Sequence, residues 1–204
     1  MRERLTRALA GGRPGLRSHA RMVPRGHEHR LQRKPGPGSR RGAVLLALTP
    51  SGPGGRLELP LIVRGNDGGP HSGQVALPGG TASAGDATAA DTALREAQEE
   101  IALEPGHVQI IGTLSELYID VSDYLVTPVV GWLSDVEVWS ELQPDGREVT
   151  AILRAGLDAM ALTEADRRVD ARGLRLTSPS FRAGTAVVWG ATAMMLRELL
   201  DILR

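Results

Sequence analysis

The sequence predicts an α+β domain in which a mixed β-sheet packs between helices. Apolar strand-like segments come both before and after an amphipathic helix, and a second amphipathic helix closes the chain. That order does not fit the regular strand–helix alternation of a doubly wound parallel sheet. Apolar residues make up 41% of the 204 residues and charged residues 24%, which is typical of a chain with a globular core.

The expected strands are apolar or alternating segments that lie between turns rich in proline and glycine. They cover 42–48, 56–64, 74–77, 108–114, 124–133 and 149–153. The first two are separated by a Pro/Gly-rich turn at 49–55, which predicts a β-hairpin.

Helices are expected where apolar residues recur every three to four positions, at 87–103, 157–164 and 191–203. In the first of these the apolar stripe consists of Ala90, Leu94, Ala97 and Ile101. The breaker pair Pro105-Gly106 is expected to end this helix.

Composition also excludes several classes of protein. Cysteine is absent, so a disulfide framework, a thiolate metal site and a cysteine nucleophile are excluded. The longest apolar stretch, near Ala43–Leu48, is far too short to span a bilayer, and no apolar signal-peptide core follows Met1. We therefore expect a soluble cytoplasmic protein that does not associate with a membrane.

Charged residues are distributed unevenly along the chain, which predicts that the chain has two distinct parts. Residues 1–41 carry 12 basic and 2 acidic side chains, whereas residues 42–204 carry 12 basic and 22 acidic ones. We interpret 1–41 as a basic arm, with a short helix near Glu3–Leu9 and irregular structure elsewhere, and 42–204 as the functional domain. Such an arm can meet phosphate, nucleic acid or the acidic body itself.

For the arm we consider that its arginines bind a substrate phosphate, because the guanidinium fork donates two hydrogen bonds at once. The candidates are Arg17, Arg21 and Arg25. A solubilising arm is the alternative. Nucleic acid is disfavoured because the arm has no interleaved aromatic side chains for base stacking.

Three carboxylates on the 87–103 helix are the main functional signal. At about 100° per residue, Glu96, Glu99 and Glu100 fall within roughly one third of the helix circumference, beside the apolar stripe. A divalent cation would relieve their repulsion, and oxygen ligands favour Mg²⁺ or Mn²⁺. The Pro78-Gly79-Gly80 turn can add a backbone carbonyl, that of Gly80. A solvated acidic helix face is the alternative.

Residues 78–103 resemble the signature of the Nudix hydrolases. After Gly80 come five residues, Asp86, eight residues, Arg95-Glu96, Ala97, and Glu99-Glu100. The usual signature has Glu at the position of Asp86 and seven residues before its Arg-Glu pair. The resemblance covers about residues 42–204 and implies a Nudix-type α/β/α sandwich.

The departures resemble those of one branch, the coenzyme A pyrophosphatase-like enzymes. Its upstream motif is matched by Arg64, His71, Gly73 and Gln74 before the Pro-Gly-Gly turn, whereas Gly65 and Gly69 replace its usual serine and basic residue. This resemblance implies substrate contacts by Arg64, His71 and Gln74. A histidine that only orders its loop and a glutamine that is only a strand residue are the alternatives.

Further roles each have a structural alternative. Arg95 is expected to pair with a signature glutamate and orient it, or to form a surface ion pair. Asp86 either caps the helix or supports the site as a second carboxylate. Glu148 follows the Pro144-Asp145-Gly146 turn, where related enzymes place an acidic metal ligand or base; a solvated loop glutamate is the alternative.

The function implied by the resemblance is metal-assisted hydrolysis of a nucleoside diphosphate derivative, with Glu96, Glu99 and Glu100 as metal ligands. Coenzyme A or its thioesters are the first substrates considered, giving phosphopantetheine and adenosine 3',5'-bisphosphate. Two alternatives stay open: a diphosphatase for ADP-ribose or damaged nucleotides, and a non-catalytic nucleotide sensor. We expect a small nucleotide as partner and no nucleic acid, and we leave a homodimer open.

Overall fold

The computed structural model describes residues 1–52, 56–65, 73–133, 136–171 and 173–204. The helices are α1 (Arg2–Ala10), α2 (Leu16–Ala20), α3 (Ala89–Ile101), α4 (Val138–Glu141), α5 (Leu157–Ala161) and α6 (Gly190–Leu203). The strands are β1 (Arg40–Ser51), β2 (Arg56–Arg64), β3 (Val75–Ala76), β4 (Gly79–Thr81), β5 (Val108–Thr113), β6 (Leu117–Ile119), β7 (Tyr124–Leu133), β8 (Val149–Gly156), β9 (Ala165–Ala171), β10 (Leu174–Ala183) and β11 (Ala186–Trp189).

The main sheet is mixed and is centred on β1. Along one side, β1 pairs in parallel with β7 from Arg40 to Leu48. Along the other side it pairs antiparallel, first with β4 and then with β2. Strands β3 and β8 extend the sheet from β2, and β5 and β6 pair with β7. The predicted hairpin of β1 and β2 and the predicted mixed sheet are confirmed.

Alternating residues of β1 supply the two apolar layers of the molecule. Ala43, Leu45 and Ala47 pack with α3, whereas Leu46 and Leu48 pack on the opposite face with α6 and α1. Period-two alternation explains this division, and each fully buried leucine contributes about 1.5–3 kcal/mol. Helices therefore cover both faces of the sheet, as the predicted α/β/α sandwich requires.

Helix α3 is shorter than the predicted 87–103 segment because local capping fixes both of its ends. Thr88 accepts a hydrogen bond from the Asp91 amide, and the Asp91 side chain accepts one from the Thr88 amide, which completes a capping box. At the other end Ala102 takes the left-handed conformation, with φ 56°. The helix therefore ends before Pro105-Gly106, which the sequence predicted as its terminator.

A second, three-stranded antiparallel sheet was missed by sequence reasoning. It consists of β9, β10 and β11 in the order β11–β10–β9. Charged residues occupy much of the exposed strand β9, which hides the apolar alternation that predicts strands. The helix predicted at 157–164 ends earlier, at Ala161. The chain then leads into β9, which starts at Ala165.

The basic arm packs on α6, and its helix α1 confirms the predicted helix near Glu3–Leu9; two short helical segments interrupt the irregular structure expected elsewhere. Helix α2 and a 3₁₀ turn at Glu28–Gln32 follow α1. His19 Nε2 lies 2.9 Å from Glu198 Oε2, at hydrogen-bond distance, and the two side chains are 1% and 0% exposed. Met22 is fully buried beside them in the same core.

The arm arginines meet carboxylates of the body. Arg21 lies 3.3 Å from Glu164, and Arg25 lies 2.8 Å from Asp166. Of the partners considered for the arm, the structure therefore favours the acidic body. Arg21 also lies 3.4 Å from Asp201 of α6, whereas Arg25 lies against β9. No helix in the described ranges is long and apolar enough to cross a membrane.

Candidate active site

Glu100 joins α3 to the glycine turn before it. Its Oε2 accepts a 2.8 Å hydrogen bond from the Gly79 amide, and the residue is 5% exposed. Burial raises the pKa of Glu100 to about 7. The Gly79 amide and the positive charge of Arg64 oppose this rise, whereas the charges of Glu96 and Glu148 add to it. A buried carboxyl of this kind is suited to pairing with a cation.

Glu96 lies directly against the backbone of Gly80. A Cβ atom on Gly80 would come 2.5 Å from the Glu96 Cδ, so only glycine leaves room for this carboxylate. Burial raises the pKa of Glu96, and the contact with Arg95 opposes that rise. Two signature carboxylates therefore contact the Gly79-Gly80 turn: Glu100 accepts a hydrogen bond from Gly79, and Glu96 packs against Gly80.

Arg95 binds acidic groups on both sides. Its Nη1 lies 2.9 Å from Glu96 Oε1 and 3.2 Å from Glu99 Oε2. Its Nε and Nη2 donate to the two Asp86 oxygens at 3.1 and 3.0 Å, and Nη2 also donates to the Thr81 carbonyl at 3.0 Å. The expected contact between Arg95 and the signature glutamates is thus present in the structure.

Asp86 does not cap α3, because Thr88 holds that position. Instead its carboxylate accepts two hydrogen bonds from Arg95, one from the Ser83 amide and one from the Thr92 hydroxyl. These contacts, led by Arg95, hold the pKa of Asp86 well below its usual range. Asp86 therefore supports Arg95, the second of the two roles considered for it.

The other predicted residues lie around this turn. Exposed Glu148 stands just before β8, where its carbonyl accepts a 2.7 Å hydrogen bond from Gly65 and its charge raises the pKa of Glu96 and Glu100. The Gln74 carbonyl accepts a 3.0 Å hydrogen bond from the Arg64 amide. His71 lies outside the described residues.

Not every predicted metal ligand points toward the Gly79-Gly80 turn. The Glu99 side chain is 61% exposed and turns to Arg95. The described ranges contain no group of three His, Asp or Glu side chains already close enough to hold a metal. The donors that are present do suit a hard divalent cation, because they are all oxygens and include a buried carboxyl with a raised pKa. The ligand roles of Glu96, Glu99, Glu100 and Gly80 stay predictions.

Sequence reasoning missed the neighbours of Gly80 on β1 and β7. The Gly80 carbonyl oxygen and the Tyr124 hydroxyl both lie against the Gly42 α carbon, where a Cβ would overlap them. A glycine inside a strand pattern marks such a close approach, and this signal was available at Gly42. Tyr124 carried no signal of its own, because an aromatic residue in a strand is usually core.

The sequence matches a known protein family over most of its length. A family model described as the NUDIX domain matches residues 39–175, and the chain belongs to the Nudix family. The division at residue 42 into arm and domain stays a prediction.

Curated relatives agree with this membership. The chain is 38% identical over 135 residues to the uncharacterized Nudix hydrolase NudL of Pectobacterium atrosepticum, covering 63% of this chain and 66% of that protein. It is 31% identical to Nudix hydrolase 3 of Caenorhabditis elegans, covering 65% and 61%. It is 35% identical to the mitochondrial Nudix hydrolase 15 of Arabidopsis thaliana, covering 77% and 56%. The matched part is thus less than two thirds of each relative.

Solved structures agree on the fold. The crystal structure of the Nudix hydrolase RenU from M. smegmatis superposes with a TM-score of 0.53 at 18% identity, covering 80% of this chain and 86% of that one. A MutT/nudix family protein from Enterococcus faecalis gives a TM-score of 0.53 at 14% identity, covering 86% and 66%.

Proposed function

We propose that this chain is a metal-dependent Nudix diphosphatase that hydrolyses a nucleoside diphosphate derivative. One observation supports this proposal most strongly. Glu96 packs against Gly80 and Glu100 accepts a hydrogen bond from Gly79, while Arg95 contacts Glu96 and Glu99. Two neighbouring carboxylates with raised pKa values cost folding free energy, which is not expected of a helix face that has only a structural role. Family membership supports the same reaction class.

Glu96, Glu99 and Glu100 are the residues proposed to hold the divalent cation, Mg²⁺ or Mn²⁺. When bound, such a cation polarises a phosphoryl oxygen and lowers the pKa of a water molecule. Arg95 positions Glu96 and Glu99, and Asp86 holds Arg95 in turn. Glu148 is proposed as a further ligand or as the base that takes the proton of the attacking water.

Coenzyme A or a thioester of it is the proposed substrate. The support is the motif made by Arg64, His71, Gln74 and the Pro78-Gly79-Gly80 turn, which resembles that of the coenzyme A branch. In the structure the positive charge of Arg64 acts on Glu100, which puts a cation beside the carboxylates. Hydrolysis would give phosphopantetheine and adenosine 3',5'-bisphosphate.

The test is product analysis by mass spectrometry with coenzyme A, ADP-ribose and a panel of nucleotides, each with Mg²⁺, Mn²⁺ or a chelator. The proposal expects metal-dependent appearance of phosphopantetheine, which Glu100→Gln suppresses. Glu104→Gln, which removes an exposed carboxylate just beyond α3, is the matched control and should retain the rate. Cleavage of ADP-ribose but not of coenzyme A would contradict the proposed substrate and support the ADP-ribose alternative. If no compound is cleaved, the proposed hydrolase activity is contradicted.

A further inference from the structure

Tyr124 lies across β1 and reaches β4. Its strand neighbour on β1 is Arg40, and the neighbour of Gly42 on β4 is Thr81. Paired residues of adjacent strands point to the same face, so these four positions form one row on the face opposite α3. The Tyr124 hydroxyl passes over Gly42 and donates a 3.4 Å hydrogen bond to Thr81 Oγ1.

Arg40 is held on the ring of Tyr124. Its guanidinium carbon is 5.3 Å from the ring centre, and Nη2 donates a 2.8 Å hydrogen bond to the Ser122 carbonyl. Stacking on an aromatic face fixes the plane of a guanidinium while leaving its other N–H groups free to donate. The side chain is exposed, so these donors face solvent.

Arg40 differs from the arm arginines that precede it. Arg21, Arg25 and Arg33 each lie within 3.3 Å of a carboxylate of the body. Among the residues that the structure describes, none pairs its carboxylate with Arg40. The charge of Asp123 acts on Arg40 from a longer distance, but within the described part of the chain no carboxylate occupies the guanidinium directly, so its N–H groups are presented on an oriented side chain.

The row lies on the other face of the sheet from the carboxylate site, and the two come near each other at β4, where the charge of Glu96 acts on the Tyr124 hydroxyl. The Thr81 carbonyl accepts a hydrogen bond from Arg95, and Gly80 beside it contacts Glu96. Arg40 and Gly42 are two strand positions apart, roughly 6.6 Å. Arg40 lies over the ring of Tyr124, whereas Glu96 lies past Gly80, at the hydroxyl end. An anion bound by Arg40 is therefore a different group from a diphosphate held at the carboxylates.

We propose that Arg40, stacked on Tyr124, binds a second phosphate of the substrate, a phosphomonoester that is not part of the cleaved diphosphate. This rests on the proposed function and assigns to Arg40 the recognition of a phosphate that the cleaved diphosphate does not include. Arg40 supplies the charge-assisted hydrogen bonds, and Tyr124 positions it.

The test is calorimetric titration of the full chain with adenosine 3',5'-bisphosphate and with AMP, which differ by one phosphomonoester and need no turnover. Wild type should bind the bisphosphate more tightly. Arg40→Gln should weaken bisphosphate binding about tenfold and AMP binding less than about twofold, since one charge-assisted contact is worth about 1.4 kcal/mol or more. Tyr124→Leu should reproduce this loss, whereas Tyr124→Phe, which keeps the ring, should retain most of the preference.

Arg41→Gln is the matched control, because Arg41 is equally exposed and lies on the opposite face of the same strand. Equal affinities of wild type for the two nucleotides would overturn the proposal. So would an Arg40→Gln effect that is the same for both nucleotides, or an equal effect of Arg41→Gln. Absence of hydrolysis with the bisphosphate preference retained would refute the proposed function alone. Hydrolysis without the preference would refute this inference alone.

Discussion

The amide of Gly79 donates a 2.8 Å hydrogen bond to the buried Glu100 carboxylate, so one contact fixes the turn to the helix. Gly79 has φ 151°, a conformation that glycine adopts readily, and its α carbon packs against Ala43 and Val44 of β1. The position of Glu100 is therefore set by the sheet as well as by its own helix.

Replacing Glu99 or Glu100 with glutamine should reduce turnover by at least about a hundredfold, because each change removes a charged metal ligand. Both proteins should stay folded. Glu100→Gln keeps an oxygen that can accept from Gly79 and removes a buried charge, so its melting temperature without metal should hold or rise. Steady-state kinetics and calorimetry measure the two effects, and near-normal rates in both variants would remove these residues from the site.

Glu100 should also make the stability of the metal-free protein depend on pH. Its pKa of about 7 in the folded protein exceeds the ordinary 4.5, so the folded state binds the proton more tightly. The free energy of unfolding should therefore fall as the pH rises from about 5 to 7.5, by at most about 3 kcal/mol. Urea unfolding at a series of pH values measures this slope.

The matched variant for this slope is Glu100→Gln, which should flatten most of it. Asp86 does not interfere, because its lowered pKa confines its own effect to more acidic solutions. A wild-type stability that does not fall over the same pH range would contradict a raised pKa of Glu100.

Gly80→Ala should displace the Glu96 carboxylate. The new Cβ would lie 2.5 Å from Glu96 Cδ, and such overpacking costs about 1–3 kcal/mol unless the side chain moves away. We expect a higher Mg²⁺ concentration for half-maximal activity and a lower kcat. Gly85→Ala is the control, because nothing lies within 4 Å of a Cβ there. Equal metal requirements in the two variants would argue against a metal role for Glu96.

His19→Ala should loosen the arm from α6. The change removes one hydrogen-bond partner of the buried Glu198, which keeps its hydrogen bonds from Gly15 and Ser115, so we expect a loss of about 1–3 kcal/mol. Urea unfolding measures the loss, and limited proteolysis should reveal faster cleavage within the arm. His29→Ala, at an exposed arm position, should change neither. Unchanged protection of the arm in the His19 variant would mean that other contacts hold it.

Much of the fold followed from hydrophobic periodicity. The ranges of β2 and β7 coincide with those predicted, because proline- and glycine-rich or polar turns flank clear apolar segments. Strand β9 was not predicted, since its exposed positions are largely charged and it is an edge strand that pairs with β10. The order of the arm was missed as well, because it depends on a buried His19–Glu198 contact between distant parts of the chain.

The part of the candidate site that depends on residue spacing within one helix could be predicted from the sequence. The carboxylates of α3 share one helix face, and their spacing alone gives that result. The contact of Glu96 with Gly80 and the approach of Tyr124 over Gly42 depend on which strands pair. A single sequence does not contain that pairing, and Gly42 was only the first residue of the predicted strand at 42–48.

The most direct measurement of the central claim is Mn²⁺ binding to the full chain, followed by electron paramagnetic resonance of the free ion. Wild type and Glu104→Gln should bind Mn²⁺ with similar affinity, whereas Glu96→Gln, Glu99→Gln and Glu100→Gln should each weaken binding by about tenfold or more. Equal Mn²⁺ affinity in all five proteins, or no binding by wild type, would contradict the claim that these helix carboxylates form the metal site.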